Sequence, residues 1–293
     1  MKKILVVFIS ILILMPEVKS STTSASSYIL MDQNTGRVLL SKDKDSQRLI
    51  ASITKIMTCI LALESGKSED VVIVDDNATS AYGSGIYIEV GEEIKLKDLL
   101  YGLMLRSGND AASMIAAYVS GSIEEFVKLM NNKAKELGMK NTIFYTPSGL
   151  PTPHGNLSSV YDMAILTRYA MQNKEYREIV STKKYKTATN KKAYIWHNKN
   201  KLLKYDYITG GKTGYTEESG RTLVSTANID NMNLIVVTIR DSDDWNTHLE
   251  LYNYAKDNYI SYKALNKNKF NLIGDTYYKR NTFYIKNDVY IPL

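Results

Sequence analysis

The pattern of hydrophobic and polar positions divides the chain into strand-like ends and a helical middle. Residues 27–31 and 37–40 are short apolar runs on either side of a polar turn that ends at Gly36, which predicts a β-hairpin. Residues 53–64 are apolar on nearly every face and are followed by Gly66, a residue that commonly ends helices. This segment is therefore predicted to be a buried helix.

The middle of the chain is predicted to be mostly helical. Residues 96–105 and 111–119 predict two helices interrupted by a polar connection. Residues 123–137 are amphipathic and stop at Gly138, and residues 159–171 begin with the serine and aspartate spacing of a helix cap. A loop rich in Pro, Gly and Ser separates these last two helices.

Strand patterns return in the last third of the chain, before one more helix over residues 244–259. They lie at residues 194–197, 212–216, 221–227 and 234–240. Strands at both ends with helices between them predict an α+β fold, in which one antiparallel sheet is assembled from N- and C-terminal segments and carries a helical insertion.

The two ends of the chain carry separate predictions. Lys2 and Lys3 precede an apolar run over residues 4–15, so residues 1–20 are predicted to be a secretory signal peptide. The run is shorter than a spanning helix, and an uncleaved anchor is the alternative. Residues 263–293 are strand-like at 276–278 and 282–285, and they are too few for an independent domain.

Composition narrows the class of protein. The chain is 44% hydrophobic and 23% charged, as expected of a globular protein, and its net charge of +6 is spread over scattered lysines. Small clusters at residues 183–186 and 199–204 are interpreted as solvated surface, and no strip rich in arginine and aromatic residues predicts nucleic-acid binding. Cys59 is the only cysteine, so an internal disulfide is excluded and a buried apolar role is predicted.

One combination of motifs points to chemistry. Ser52-Ile53-Thr54-Lys55 places a hydroxyl and an amine about one helical turn apart. A lysine whose pKa is lowered by burial and by a nearby cation such as Lys212 can act as the base that activates a serine. Lys212-Thr213-Gly214, on a predicted strand, is suited to binding a carboxylate through charge-assisted hydrogen bonds.

Each motif alone also fits a structural role. Ser52 can cap a helix, and Ser107 and Asn109 are residue types that favour the loop between two helices. Ser-x-x-Lys also recurs elsewhere in the chain, at Ser41/Lys44 and Ser181/Lys184. The set is therefore informative only as an ordered combination of Ser52/Lys55, Ser107-Gly108-Asn109 and Lys212-Thr213-Gly214.

In this combination the chain resembles the low-molecular-mass penicillin-binding proteins that act as serine D-alanyl-D-alanine carboxypeptidases. The resemblance extends over roughly residues 27–262, through residues 51–58, 91–93, 98–103, 107–112, 136–141, 161–164 and 211–216. It implies the penicillin-binding/β-lactamase-like fold, a five-stranded antiparallel sheet flanked by helices with a helical subdomain. It also implies a catalytic domain over residues 21–262. The chain departs from the family pattern after this domain, because residues 263–293 are expected to form a short strand-like tail in place of the full C-terminal β domain of many members.

The resemblance also implies roles for individual residues. Ser52 would be the acylated nucleophile, Lys55 its base, and Ser107 a proton relay toward the departing D-alanine. The substrate-binding residues would be Asn109, Lys212, Thr213, Gly214 and Tyr215, with an oxyanion hole formed by the backbone N–H groups of Ser52 and Tyr215. No metal or organic cofactor is expected.

The implied substrate is a peptidoglycan stem peptide ending in D-Ala-D-Ala, with β-lactams as covalent inhibitors. The alternatives are a β-lactamase, a DD-transpeptidase and a non-catalytic wall-binding module. Class A β-lactamases use a loop glutamate for deacylation, and residues 142–158 contain no Glu or Asp, so slow release of β-lactams is expected.

The protein is expected outside the cytoplasm, with membrane attachment only if the signal segment stays uncleaved. His154 is expected to be an exposed loop residue.

Overall fold

The structure, a computed structural model, describes residues 23–79, 82–151, 154–267, 269–270, 283–284 and 288–293. The predicted signal peptide (residues 1–20) and the predicted strand at 276–278 lie outside this part of the chain. Of the predicted strand at 282–285, residues 283–284 are described, and they form a strand.

The helices of the described residues are α1 (Lys55–Glu64), α2 (Leu96–Tyr101), α3 (Asn109–Ser120), α4 (Ile123–Glu136), α5 (Val160–Ala170), α6 (Lys174–Ser181) and α7 (Asp244–Asn258). The strands are β1 (Ser27–Asp32), β2 (Val38–Lys42), β3 (Arg48–Leu49), β4 (Val71–Ile73), β5 (Glu93–Lys95), β6 (Leu157–Ser158), β7 (Lys184–Ala188), β8 (Ala193–His197), β9 (Ile208–Thr216), β10 (Gly220–Ile229), β11 (Met232–Ile239), β12 (Ser261–Leu265), β13 (Lys269–Phe270), β14 (Phe283–Tyr284) and β15 (Val289–Pro292).

A five-stranded antiparallel sheet in the order β2-β1-β11-β10-β9 joins the two ends of the fold. Strand β1 pairs with β11 in the register Ile29↔Val237, so the N-terminal hairpin is held by strands more than 200 residues later. The sheet therefore confirms the predicted hairpin and its assembly from N- and C-terminal segments. Strand β9 is one of its two edges.

Helices cover both faces of the sheet. Because successive side chains of a strand point to opposite faces, neighbouring residues of one strand pack into different cores. Val224 and Val237 point into one apolar core with the buried helix α1 and helix α5. Leu223 and Val236 point to the other face and pack against α7. The first face also supports the helical region that carries the candidate site.

Three elements differ from the sequence-based predictions. Helix α1 begins at Lys55, and a 3₁₀ turn over Ala51–Thr54 precedes it, so Ser52 lies before the α-helix. Strand β8 pairs with β7 in a separate two-stranded ribbon, whereas the pattern had suggested a place in the main sheet. Helix α6 was not predicted.

The C-terminal tail returns to the sheet. Strand β15 pairs with β12, and Arg37 Nη1 donates a 2.9 Å hydrogen bond to the carbonyl oxygen of Pro292. The predicted domain boundaries remain predictions. Within the described residues no helix combines the length and the apolar character needed to cross a bilayer.

Candidate active site

Lys55 is the centre of a buried polar cluster at the start of α1. Its Nζ donates to Ser52 Oγ at 2.9 Å, to Asn109 Oδ1 at 2.7 Å and to the carbonyl oxygen of Ser148 at 2.6 Å. The lysine is 0% exposed, whereas Ser52 is partly exposed. Three oxygen atoms therefore lie within hydrogen-bond distance of the amine. The side chain is thereby held against the serine hydroxyl, rather than extending to solvent.

The backbone on both sides of the site adopts left-handed conformations. Ala51, directly before Ser52, has φ +47°, and Ser107 has φ +65° at the end of a π-helical turn over Gly102–Arg106. Such conformations in non-glycine residues cost about 1–3 kcal/mol and cluster at functional sites. A Cβ on Gly149 would lie 2.0 Å from the carbonyl oxygen of Ala51, so only glycine lets the 146–150 loop pack there.

Ser107 meets Lys212 across the gap between the helical region and edge strand β9. Lys212 Nζ donates to Ser107 Oγ at 3.0 Å and to the carbonyl oxygen of Thr213 at 2.6 Å. Lys212 is only 1% exposed. The lysine thus sits beneath the surface of the site and ties the helix junction to the strand.

Asn109 and Asp110 fix the rim of the site. Asn109 Nδ2 donates to the carbonyl oxygen of Tyr82 at 2.6 Å, and its backbone N–H donates to that of Ser84 at 2.7 Å. Asp110 accepts hydrogen bonds from the backbone N–H groups of Ile86 and Tyr87. The start of α3 therefore positions both Lys55 and the segment around Ser84.

Gly214 lets β9 approach the nucleophile. A Cβ at this position would lie 2.9 Å from the backbone nitrogen of Ser52 and 2.4 Å from Thr222 Oγ1. A glycine within a strand often marks the close approach of another backbone, as it does here. The backbone nitrogen of Ser52 consequently lies against the strand that carries Tyr215, the other residue predicted to contribute to an oxyanion hole.

The lysines of the site have lowered pKa values. Burial lowers the pKa of Lys55 well below its ordinary value, and the charges of Lys212 and Lys199 lower it further. Burial, with a contribution from Lys199, lowers the pKa of Lys212 to about 7. Lys212, the second cation expected near Lys55, thus contributes to lowering the pKa of Lys55, and a neutral Lys55 can accept a proton.

An open cleft of about 340 Å³ gives access to these groups. It is lined by Ser52, Ser84, Ser107, Lys199, Thr213, Gly214, Tyr215, Arg221, Asp244 and Trp245. The structure brings together every sequence-predicted site residue: five of them line the cleft, and Lys55, Asn109 and Lys212 lie buried behind its wall.

Sequence reasoning missed five of the lining residues. Lys199 was assigned to solvated surface and is exposed, but it also lines the cleft, and its Nζ donates to Ser84 Oγ at 3.1 Å. Arg221, Asp244 and Trp245 belong to no motif, and only the pairing of β10 with β9 and the start of α7 bring them to the cleft. Nothing in the sequence around these three residues marks them as part of a site, because their role depends on that strand pairing.

The remaining candidates lie outside the cleft. Cys59 is fully buried and burial raises the pKa of its thiol, which confirms an inert apolar role. His154 is exposed, with its ring 5.4 Å from that of Tyr145. A larger depression of about 520 Å³ beside β5 and β7 contains ion-paired carboxylates and lysines, such as Glu69 with Lys95. The described residues contain no cluster of metal-ligating side chains.

Comparison with known proteins places this geometry in a family. Residues 15–243, more than half of the chain, match the peptidase family model described as D-alanyl-D-alanine carboxypeptidase. The chain belongs to this family. The carboxypeptidase DacF of Bacillus subtilis is 42% identical over 220 residues, and DacD of Escherichia coli is 31% identical over 265 residues.

These alignments cover 73% and 84% of this chain, but 56% and 66% of the two relatives. The chain thus spans less than two thirds of the length of the curated relatives that it matches here. Among solved structures, penicillin binding protein 5 of Haemophilus influenzae gives a TM-score of 0.79 at 30% identity, covering 94% of this chain and 84% of that one. A Streptomyces K15 DD-transpeptidase variant gives 0.75 at 29% identity, covering 80% and 98%. The predicted fold class is confirmed.

Proposed function

We propose that this protein is a serine D-alanyl-D-alanine carboxypeptidase that removes the terminal D-alanine from peptidoglycan stem peptides. The observation that carries the proposal is the pair of contacts Lys55 Nζ to Ser52 Oγ at 2.9 Å and Lys212 Nζ to Ser107 Oγ at 3.0 Å. Together they provide an activated nucleophile and a proton-transfer group at one cleft. Family membership supports the same activity.

Acylation would proceed from neutral Lys55. Its Nζ accepts the Ser52 hydroxyl proton while Oγ forms a bond to the carbonyl carbon of the penultimate D-alanine, and the carbonyl electron pair moves onto oxygen. The N–H groups of Ser52 and Tyr215 would stabilise that oxyanion. When the tetrahedral species collapses, the C–N bond breaks, and the proton that Lys55 accepted passes to the departing amine through Ser107, which leaves Lys55 neutral again. Free D-alanine leaves, and an ester on Ser52 remains.

Water would complete the cycle. Water attacks the ester carbonyl and gives a proton to Lys55. The bond between the carbonyl carbon and Ser52 Oγ then breaks, Lys55 returns the proton to Oγ, and the shortened peptide leaves as a carboxylic acid. A β-lactam would form the same kind of ester by ring opening. Because the 142–158 loop has no Glu or Asp to activate water, we expect this ester to be hydrolysed slowly. Rapid steady turnover of a penicillin would instead support the β-lactamase alternative.

The proposal is tested with a pentapeptide wall fragment ending in D-Ala-D-Ala. Wild-type protein should release D-alanine, and Ser52→Ala should not. Absence of release by folded wild-type protein would contradict the proposal and favour a wall-binding module.

Transpeptidation is a second candidate, because one similar structure is named a DD-transpeptidase. It uses the same acyl-enzyme but passes the acyl group to an amine. Adding an acceptor amine to the pentapeptide assay separates the two activities, since cross-linked product would show transfer. Hydrolysis in the presence of acceptor would support the carboxypeptidase.

The same proposal includes export from the cytoplasm, because a peptidoglycan substrate lies outside it. The basic start and apolar run of residues 1–20 support a signal peptide. Fractionation and N-terminal sequencing of the exported protein test it. A mature N-terminus near residue 21 would support cleavage, whereas Met1 retained in a membrane fraction would support an uncleaved anchor.

A further inference from the structure

The carbonyl oxygen of Ser148 is a contact of Lys55 that lies outside the three motifs. It is 2.6 Å from Lys55 Nζ, compared with 2.7 Å for Asn109 Oδ1 and 2.9 Å for Ser52 Oγ. A neutral amine has two N–H groups and one lone pair. The two carbonyl oxygens only accept hydrogen bonds, whereas the serine hydroxyl can also donate. The N–H groups of neutral Lys55 therefore point to Ser148 and Asn109, and its lone pair points to the hydroxyl of Ser52.

The loop that carries Ser148 is fixed by the side chain of Asn156, which is 0% exposed. Its Oδ1 accepts from the backbone N–H groups of Tyr145 and Thr146 at 2.7 and 3.0 Å. Its Nδ2 donates to the carbonyl oxygen of Thr146 at 2.8 Å. Thr146 Oγ1 in turn accepts from the N–H of Gly149 at 2.9 Å. The chain on both sides of Ser148 is thus tied to this one amide, directly or through Thr146.

Asn156 also holds the turn that carries the nucleophile. Its Nδ2 donates to Thr54 Oγ1 at 2.9 Å, and Thr54 lies between Ser52 and Lys55 in the chain. Its backbone carbonyl oxygen accepts from the N–H of Ile50 at 3.1 Å, on the other side of Ser52. Asn156 itself is not one of the described residues that line the cleft. It therefore acts on the site through its neighbours.

The loop meets helix α1 through two successive carbonyl groups. Thr58 Oγ1 donates to the carbonyl oxygen of Pro147 at 2.6 Å. The next carbonyl group, that of Ser148, accepts from Lys55 Nζ. The Asn156 amide adds the tie between this loop and the turn that precedes the helix. Without that tie, a shift of the loop changes where the carbonyl oxygen of Ser148 meets the amine.

We propose that Asn156 is a positioning residue for Ser52 and Lys55, because it keeps the carbonyl oxygen of Ser148 on Lys55 Nζ and so keeps the lone pair of the neutral amine on the serine hydroxyl. The inference rests on the proposed function, since it takes Ser52 as the nucleophile and Lys55 as its base. Replacing Asn156 should slow acylation without weakening the binding of the acyl donor.

The test separates binding from acylation with a fluorescent penicillin. Labelling rates over a range of penicillin concentrations give the acylation rate constant at saturation and the dissociation constant of the noncovalent complex. Asn156→Ala should lower the rate constant by about 10- to 100-fold, since misplacement of a catalytic group by about 1 Å has effects of this size. The dissociation constant should stay as in wild type, because the residues that line the cleft are unchanged. Asn156→Gln, which keeps an amide on a longer side chain, should restore part of the rate.

The charges that act on Lys55 are the same in all of these variants. They belong to Lys212, Lys199 and Asp110. Rates are compared on the pH plateau of each variant, so that a change in the pKa of Lys55 does not imitate a change in geometry.

Asn131→Ala is the matched control. Asn131 of α4 also binds the backbone of this segment, since its Nδ2 donates to the carbonyl oxygen of Phe144 at 2.8 Å and its Oδ1 accepts from the N–H of Phe144 at 2.9 Å. Its other side-chain hydrogen bond within the described residues goes to the carbonyl oxygen of Val127. The control should lower the melting temperature, as Asn156→Ala does, because buried hydrogen bonds are lost. It should leave the acylation rate constant unchanged.

Thr54→Val is the milder variant, and it decides the question if Asn156→Ala does not fold. It removes only the hydroxyl that accepts from the Asn156 amide, so the rate constant should fall by a smaller factor. In the double variant with Asn156→Ala the two losses should not add, because both substitutions cut the same link.

An unchanged rate constant in folded Asn156→Ala or in Thr54→Val would overturn the inference, as would equal losses in Asn156→Ala and Asn131→Ala. The proposed function fails separately, if wild-type protein is acylated by penicillin but releases no D-alanine from the pentapeptide. In that case the labelling rates of the variants still decide the role of Asn156.

Discussion

A serine–base pair lies on each face of the central sheet, and of these two pairs only the one with Ser52 opens to a cleft. On the α1 face, Lys55 Nζ lies 2.9 Å from Ser52 Oγ. On the α7 face, Ser225 Oγ lies 2.6 Å from His248 Nδ1, and both residues are 0% exposed. By distance alone the second pair is the tighter one. Hydrogen-bond distance between a serine and a base is therefore not sufficient to define a nucleophile.

The surroundings of the two pairs explain the difference. Ser225 Oγ also bonds the hydroxyl of Tyr252 at 2.7 Å, and His248 Nε2 bonds Thr238 Oγ1 at 3.1 Å. This closed network satisfies the buried polar atoms between β10, β11 and α7. Ser52, in contrast, is partly exposed and faces a cleft lined by hydrogen-bond donors and cations. Access and anion-binding groups separate the candidate site from a structural cluster.

The largest expected effect is the difference between replacing Ser52 and replacing Ser225. Ser52→Ala should abolish covalent labelling by a fluorescent penicillin and lower peptide hydrolysis by about 10⁴-fold or more, as loss of a nucleophile does. Ser225→Ala should retain labelling at Ser52, because its hydroxyl has no route to substrate. Labelling that survives in Ser52→Ala but disappears in a folded Ser225→Ala would reverse the assignment.

Removal of the base should have the next largest effect. Lys55→Met keeps the length of the side chain but removes the amine, so the rate of Ser52 acylation should fall by about 10²- to 10⁴-fold. Lys186→Met, at an exposed ribbon position, serves as the control and should leave the rate unchanged.

The pH dependence of acylation adds a second measurement on Lys55. Only the neutral amine accepts a proton, and the pKa of Lys55 is lowered by burial and by neighbouring lysines. Acylation should therefore remain fast well below the ordinary lysine pKa, and should slow as acidification protonates Lys55. A rate that rises only near the ordinary lysine pKa would contradict its role as base.

The histidine of the closed network should affect stability and leave catalysis unchanged. Burial lowers the pKa of His248 to about 3. An unfolded chain binds a proton at this histidine below its ordinary pKa of about 6.5, while the folded chain does not. The unfolding free energy should therefore fall as pH decreases from about 6.5 to about 3, with a slope of up to about 1.4 kcal/mol per pH unit from this residue.

His248→Asn should reduce that slope by the equivalent of one proton. At neutral pH it should also cost about 1–3 kcal/mol, because Ser225 and Thr238 lose buried hydrogen bonds. Denaturant melts of wild-type protein and variant between pH 3 and 7 measure both effects. An unchanged slope would show that His248 is not held neutral by the fold, and a loss of penicillin acylation in the folded variant would contradict its structural role.

The sequence predicted the helices and strands that a local pattern of residues specifies. The apolar run before Gly66 predicted α1, and alternation predicted the strands of the sheet. The start of α1 was misplaced because tertiary contacts shape the turn at residues 51–54: Ile50 donates its N–H to the carbonyl oxygen of Asn156 and accepts from Thr222 Oγ1. Strand pairing was equally inaccessible, since alternation along β8 does not reveal that its partner is β7.

Helix α6 was missed although a signal was present. Tyr176, Ile179 and Val180 follow the spacing of one helix face and are buried, and Asn173 caps the helix. The charged residues around these positions and the short length of the helix hid this pattern. In the candidate site, the motif residues could be predicted, but Arg221, Asp244 and Trp245 could not, because only the sheet register brings them to Ser52.

The smallest expected effect is that of replacing Ser181, a serine in another Ser-x-x-Lys sequence. Ser181 and Lys184 repeat Ser-x-x-Lys, but Ser181 ends α6 with its hydroxyl bonded to the carbonyl oxygen of Glu178, and Lys184 is exposed on β7. Ser181→Ala should leave acylation unchanged and alter stability by no more than about 0.5 kcal/mol, as surface substitutions usually do. Measured beside Ser52→Ala, it tests whether the buried amine, the cleft and the opposing strand decide reactivity, since the local spacing is the same. A marked loss of acylation in Ser181→Ala would contradict that conclusion.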